Sequence, residues 1–215
     1  MTKSLKIDFV SDVVCPWCAV GLGSLQQALD KLGDLVDTEI RFHPFELNPQ
    51  MPKGGQNLFE HLAQKYGQSK EQTLANQQRL RARAAEAGFT MVRDEDSRMV
   101  NSFDAHRLLH WAGLEGRQMA LKRALFEAYF GRGENPDQHE VLIAAAQEAG
   151  LDPDKAAEIL NSGRYAEEVR ADEREWLEKG INSVPAVVIA DRYLISGGQP
   201  AATFEQAIRK IVAEG

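Results

Sequence analysis

Two cysteines, Cys15 and Cys18, are the only ones in the chain, and they stand where an extended stretch gives way to a helix. A bridge across Pro16-Trp17 would close so short a loop that it would remove little entropy from the unfolded chain. A pair at this spacing points to redox or metal chemistry rather than to a structural staple. The surrounding pattern is restrictive. Leu5 to Val10 alternates apolar and polar side chains and runs on to Val13 and Val14, which reads as a first strand. Val20, Leu22, Leu25, Leu29 and Leu32 then recur at helical spacing until Gly33. Thr38 to Pro44 reads as a second strand. This strand–helix–strand unit carries the cysteine pair at its first junction.

Pro49, Pro52, Gly54 and Gly55 mark a linker, and beyond it nearly everything has helical character. Asn57 can cap a short helix carrying Leu58, Leu62 and Tyr66, and Ser69 with Gln72 forms a capping-box pattern for a polar helix ending near Gly88. Further helices fit Asn101–Trp111, Arg117–Phe130, Gln138–Ala149 and Pro153–Leu160. Arg164 to Lys179 is a charged helix with Val169 and Trp176 turned inward, stopped by Gly180. The pattern then returns to strands: Pro185 to Ile189, a tight turn at Asp191-Arg192, and Tyr193 to Ile195 as the antiparallel partner. Thr203 to Val212 closes the chain as a helix. The expected class is α/β. Residues 1–56 and 164–215 form one discontinuous unit, and 57–163 form an inserted all-helical one.

Lys and Arg number 25 against 32 Asp and Glu, a formal charge of −7, which argues against a nucleic-acid or anionic-membrane surface. No stretch approaches the roughly 18 apolar residues of a membrane helix. Residues 1–8 bear positive charge with no apolar signal region behind them, so a cytoplasmic location is expected.

Disulfide exchange needs one thiolate to attack and a second thiol to release the mixed disulfide. At a helix start the free N–H groups and the dipole favour negative charge on Cys15, with Cys15 expected to be exposed and Cys18 shielded behind it. The dipole is worth about 0.3–1 kcal/mol, so N–H groups must supply much of the rest. Pro16 has none, leaving Trp17 and Cys18 as donors. Trp17 adds no positive charge and Asp12 lies nearby in sequence, so the bias toward thiolate should be moderate. Val184-Pro185, just ahead of a buried strand, would present the Val184 backbone to an extended substrate if its peptide bond is cis.

Cys15-Pro16-Trp17-Cys18, Val184-Pro185 and a helical unit inserted into a thioredoxin-like fold together resemble the DsbA family. Phe45-Glu46-Leu47-Asn48-Pro49 and Ser196-Gly197-Gly198-Gln199-Pro200 are similar to its FrnE-like branch. The resemblance spans essentially the whole chain. It implies a thioredoxin-like fold interrupted by a helical insertion and a thiol–disulfide oxidoreductase, with Cys15 as nucleophile and Cys18 as resolving thiol. Pro16, Trp17, Val184 and Pro185 would contact substrate. No bound cofactor or metal is implied beyond the Cys15–Cys18 disulfide itself, with glutathione as a conceivable co-substrate. Partners would be protein or small-molecule thiols and disulfides, with monomer and homodimer both open. Pro-Trp replaces the Pro-His of the periplasmic oxidase and removes a thiolate-stabilising side chain, which shifts the expectation toward an exchanger.

Two other functions share the same residues. Glutathione-dependent enzymes of the kappa-class and hydroxychromene-carboxylate isomerase type carry Ser at the position of Cys15 and do not need Cys18. A metal- or cluster-binding module would use both sulfurs, but zinc usually takes four ligands and no second cysteine pair exists. His106 and His110, at i and i+4, would share a helix face and read as surface or packing residues. His43 is read as structural although it stands at a strand end near the dithiol. Asp8 and Asp12 are potential acceptors of the Cys18 proton, with capping or solvation the plainer account of Asp12. Trp17 is expected to be exposed, whereas Trp111, Trp176 and the aromatic run Phe126–Phe130 are expected to pack inside.

Overall fold

The computed structural model describes residues 2–214. In chain order its main elements are β1 (Lys3–Ser11), α1 (Pro16–Leu32), β2 (Val36–Pro44), β3 (Gln56–Asn57), α2 (Leu58–Tyr66), α3 (Lys70–Glu86), β4 (Arg98–Met99), α4 (Phe103–Leu114) and α5 (Gln118–Phe126). There follow α6 (His139–Glu148), α7 (Pro153–Asn161), α8 (Ala166–Glu178), β5 (Ala186–Ile189), β6 (Tyr193–Ser196) and α9 (Ala201–Glu214). The main sheet has the order β2-β1-β5-β6. β1 runs parallel to β2 in the register Lys3↔Val36 to Ser11↔Pro44, and antiparallel to β5 with Phe9 opposite Val187. β5 and β6 form the closing antiparallel pair. Strand–helix–strand followed by strand–strand–helix around one sheet is the thioredoxin-like arrangement, and the helices from α2 to α7 are inserted between its halves.

Alternation along β1 decides what each face meets. Ile7 and Phe9 are fully buried in the main core beneath α1, where Phe9 approaches Gly21. Val10 points to the other face and packs with Trp176 of α8, Ile181 and Ala186. The main core continues without a break into the insertion through Leu108, Leu121, Leu125, Phe126 and Phe130. Each such side chain contributes roughly 1.5–3 kcal/mol by leaving water. Trp111 and Trp176 are buried, as their patterns predict.

The caps carry out the local signals. Asn57 accepts hydrogen bonds from the Phe59 and Glu60 amides, the Ser69–Gln72 capping box forms, and Asp152 caps a helix that starts on Pro153. The differences are local and physical. β1 stops at Ser11 rather than running to Val14, because the Asp12 carboxylate takes the Val14 amide and turns the chain. The helix expected to reach Phe130 is α-helical only to Phe126 and finishes as a π-turn over Glu127–Gly131. The β5–β6 turn centres on Ala190 and Asp191, both at positive φ, and closes through Arg192 N to Ile189 O at 3.2 Å. The two-residue ribbon of β3 and β4 has no counterpart in the sequence pattern.

Candidate active site

β1 delivers the chain to a tight turn, and α1 starts on Pro16 with Cys15 as its N-cap residue. The Cys15 amide donates to Asp12 O at 3.2 Å and the Cys18 amide to Cys15 O at 3.0 Å. No side chain caps α1, and no acidic residue lies in its first turn, so its positive end is left to Cys15. The Val184–Pro185 bond is cis, and the Val184 carbonyl oxygen stands 3.9 Å from Cys15 Sγ. The structure therefore brings Cys15, Pro16, Trp17, Cys18, Val184 and Pro185 together at one end of the sheet. Gly198 completes the arrangement, since a Cβ there would lie 3.0 Å from both Trp17 Cε3 and the Trp17 carbonyl oxygen. The 196–200 loop can thus lie flat on the first turn of α1.

Trp17 is 42% exposed, as expected, but Cys15 is not an open thiol: it is 3% exposed against 0% for Cys18. Cys15 instead meets solvent along the wall of a cleft of 910 Å³ that runs from Trp17 and Val184 to α2 and α3. The insertion leans over the dithiol and narrows its access. Both cysteines are free thiols here. Burial, and then its hydrogen bond with Cys15, push the Cys18 thiol well above its ordinary range, while the charge of Lys122 opposes this.

Behind Cys18 lies a buried polar cluster. Asp12 is fully buried rather than solvated, which corrects that expectation. Its oxygens accept from the Val14 amide at 3.1 Å and the Leu47 amide at 2.7 Å, and His106 Nε2 stands 3.6 Å away. Burial works against the charge on Asp12, but the imidazole and the two amides outweigh it and hold the carboxyl below its ordinary value. Held in this way, Asp12 is a poor acceptor for the Cys18 proton. The Leu47 bond also gives the Phe45–Pro49 segment a physical role, because it ties that loop to the turn ahead of Cys15. Glu46 extends the tie by pairing with Arg170 of α8.

Sequence reasoning missed Lys122 of α5, which is fully buried with its Nζ unbonded and lies over the rings of Phe126 and Phe42, at 5.1 and 5.7 Å. Desolvation lowers it to about 8, opposed by the charges of Cys18, Asp12 and Cys15. A signal existed: Lys122 shares the buried helix face of Leu125 and Phe126, three and four residues on. A second cavity, of 650 Å³, is lined by Lys122 and His106 together with β2 residues from Glu39 to Pro44.

His43 does not approach the dithiol. Its ring nitrogens are taken by Asp8 at 3.0 Å and Asp172 at 2.9 Å, which also removes Asp8 from consideration as a partner of Cys18. His106 faces Asp12, while His110 lies against Tyr165 with ring centroids 5.1 Å apart. Among the described residues no three His, Cys, Asp or Glu side chains gather as a metal site.

Known proteins share this fold. A probable DsbA oxidoreductase from Streptomyces coelicolor superposes with a TM-score of 0.92 at 36% identity, over 98% of this chain and 91% of that one. A 2-hydroxychromene-2-carboxylate isomerase shares the fold, with a TM-score of 0.71 at 19% identity over 97% of each chain. The uncharacterized protein YwbO of Bacillus subtilis (strain 168) is 26% identical over 209 residues, covering 97% of this chain and 96% of that one. The DSBA-like thioredoxin domain matches residues 6–209. With the dithiol at the start of α1 and the cis-proline opposite, this chain belongs to the DSBA-like thioredoxin domain family.

Proposed function

We propose that the protein is a thiol–disulfide oxidoreductase in which the Cys15/Cys18 dithiol exchanges electrons with protein or small-molecule disulfides. The observation that carries this reading is the position of Cys15 Sγ, at the uncapped start of α1 and 3.9 Å from the Val184 carbonyl, with Cys18 fully buried behind it. The Cys15 thiolate attacks one sulfur of the substrate disulfide, forming a mixed disulfide and expelling the other sulfur as a thiolate. Cys18, once deprotonated, attacks Cys15 Sγ and expels the second. The protein is oxidised to the Cys15–Cys18 disulfide, the substrate is reduced to two thiols, and the two dithiol protons end on the two leaving sulfurs. Pro16, Trp17, Val184 and Pro185 border the substrate.

The raised Cys18 thiol makes the second attack the step that needs help, and the Lys122 cation supplies it by favouring the Cys18 thiolate. Residues 57–163 act as a unit that shapes access to the dithiol held by 1–56 and 164–215. No metal or bound cofactor takes part. A cytoplasmic setting and a place in the FrnE-like branch belong to the same proposal; both cysteines serve the site, which suits a reducing compartment.

Turbidimetric reduction of insulin by dithiothreitol tests the reading. The wild type should accelerate precipitation, and Cys15→Ser and Cys18→Ser should both lose that acceleration. Full turnover of a small substrate by Cys18→Ser would instead favour a glutathione-dependent transferase or isomerase, which has no use for the second thiol.

A further inference from the structure

We infer that the cleft beside Cys15 selects small thiols and disulfides that carry carboxylates; this rests on the dithiol reading above. The argument begins with charge. The chain holds 32 acidic residues against 25 basic ones, yet the 910 Å³ cleft is lined by Lys65, Arg79, Arg83 and Arg93 and by no Asp or Glu. Arg83 is paired with Glu86 at 2.8 Å, so the positive sign rests on Lys65, Arg79 and Arg93. That local sign is the reverse of the global one, and a cleft of one sign with low-dielectric walls concentrates ligands of the opposite sign. The walls between the cations are apolar, with Leu58, Leu80 and Met99 among them. The volume lies within the roughly 300–1,000 Å³ range of small-molecule sites.

Two polar side chains in this wall have unfilled donors. Arg93 is 7% exposed and its Nη2 has no partner; its guanidinium lies 4.9 Å from the ring centres of Tyr129 and Phe130. Gln77 is 6% exposed and its Nε2 is likewise unbonded. Arg93 pairs with no carboxylate among the described residues, and Lys65 is held by the Leu47 carbonyl and the Asn48 side chain rather than by an acid. Buried donors without acceptors are costly. A carboxylate entering the cleft brings a negative charge to a lining that holds cations and no acid. The same ligand must place a sulfur at Cys15, which lines the other end.

The test uses pre-reduced protein, in excess, against three disulfides of similar length: 3,3′-dithiodipropionate (dianionic), bis(2-hydroxyethyl) disulfide (neutral) and cystamine (dicationic). Thiol release is followed in a single turnover, and each rate is divided by the rate at which dithiothreitol reduces the same compound, which removes intrinsic reactivity. The cleft should favour the dianion over the neutral compound by about tenfold or more, with cystamine slowest, and salt should shrink the spread. Arg79→Glu, at an exposed position, and Arg93→Met should each lower the dianion-to-neutral ratio, and Arg93→Lys should recover part of it. Equal normalised rates, a preference for cystamine, or ratios untouched in all the variants would overturn the inference and leave the dithiol reading standing. Failure to reduce any of the three would sink the dithiol reading and this inference with it.

Discussion

Replacing Lys122 with methionine removes one charge from the interior while keeping much of the side chain's length and volume, so its effects on stability and on chemistry can be separated. Lys122 is fully buried and its ammonium is lowered from 10.5 to about 8, chiefly by desolvation. A shift of that size corresponds to about 3 kcal/mol of folding free energy lost in keeping the group protonated. The contacts with Phe126 and Phe42 return about 1 kcal/mol, leaving a gain of about 2 kcal/mol for Lys122→Met at pH 7. That is roughly 4–8 °C in Tm for a chain of this size.

The sign with pH follows from proton counting. Between about 8 and 10.5 the unfolded chain binds the lysine proton and the folded one does not, so the wild type gains stability as pH rises through that window. The advantage of the variant should therefore be full at pH 7 and should fall by more than half at pH 9.5. Urea denaturation of reduced wild type and variant at the two pH values measures it. A variant less stable at pH 7, or a gap that ignores pH, would refute the reasoning. The chemistry should move the other way. Without the cation, each unit by which the Cys18 thiol rises lowers its thiolate fraction about tenfold, and mixed disulfide should accumulate accordingly.

Asp12→Asn offers one carbonyl oxygen to two amide donors, and the buried mismatch should cost about 1–3 kcal/mol. Because the Asp12 carboxyl is held below its ordinary value of 3.8, its contribution is present above that value and lost as pH falls through the folded-state one, so the variant should show shallower acid denaturation. Gly23→Ala would drive a methyl into the Ala87 carbonyl oxygen, where α1 meets the end of α3, and should cost about 1–3 kcal/mol in a thermal melt. Iodoacetamide at pH 8 should label Cys15 alone in the native reduced protein and both cysteines in urea, since Cys18 is buried and its thiol raised; mass spectrometry reads the outcome.

Much of the scaffold is readable because period and punctuation agree. The alternation of Leu5–Val10 and the helical recurrence from Val20 to Leu32 each match one element, the Pro185–Ile195 run matches the β5–β6 pair, and Asn57 and Ser69 cap helices in the expected way. The dithiol and the proline opposite it are readable because few residue types at that spacing serve any other purpose. What is missed depends on long-range packing. Asp12 looks like a surface capping residue until Leu47, 35 positions on, donates to it. Lys122 looks like one charge on an amphipathic helix until the fold buries it against Phe42 and Phe126, within reach of the Cys18 charge. The lining of the cleft comes from polar helices whose spacing says nothing about which face leans over Cys15. The π-turn after Phe126 and the β3–β4 ribbon are too short to leave a periodic signal.

The central claim, that Cys15 attacks and Cys18 resolves, is tested most directly by the intact mass and peptide map of the Cys18→Ser variant after incubation with a small disulfide. The account predicts that the variant stops as a stoichiometric mixed disulfide on Cys15, released by dithiothreitol, while the wild type passes through to the Cys15–Cys18 disulfide with no adduct retained. An unmodified variant, or one that continues to turn over the disulfide without Cys18, would contradict it.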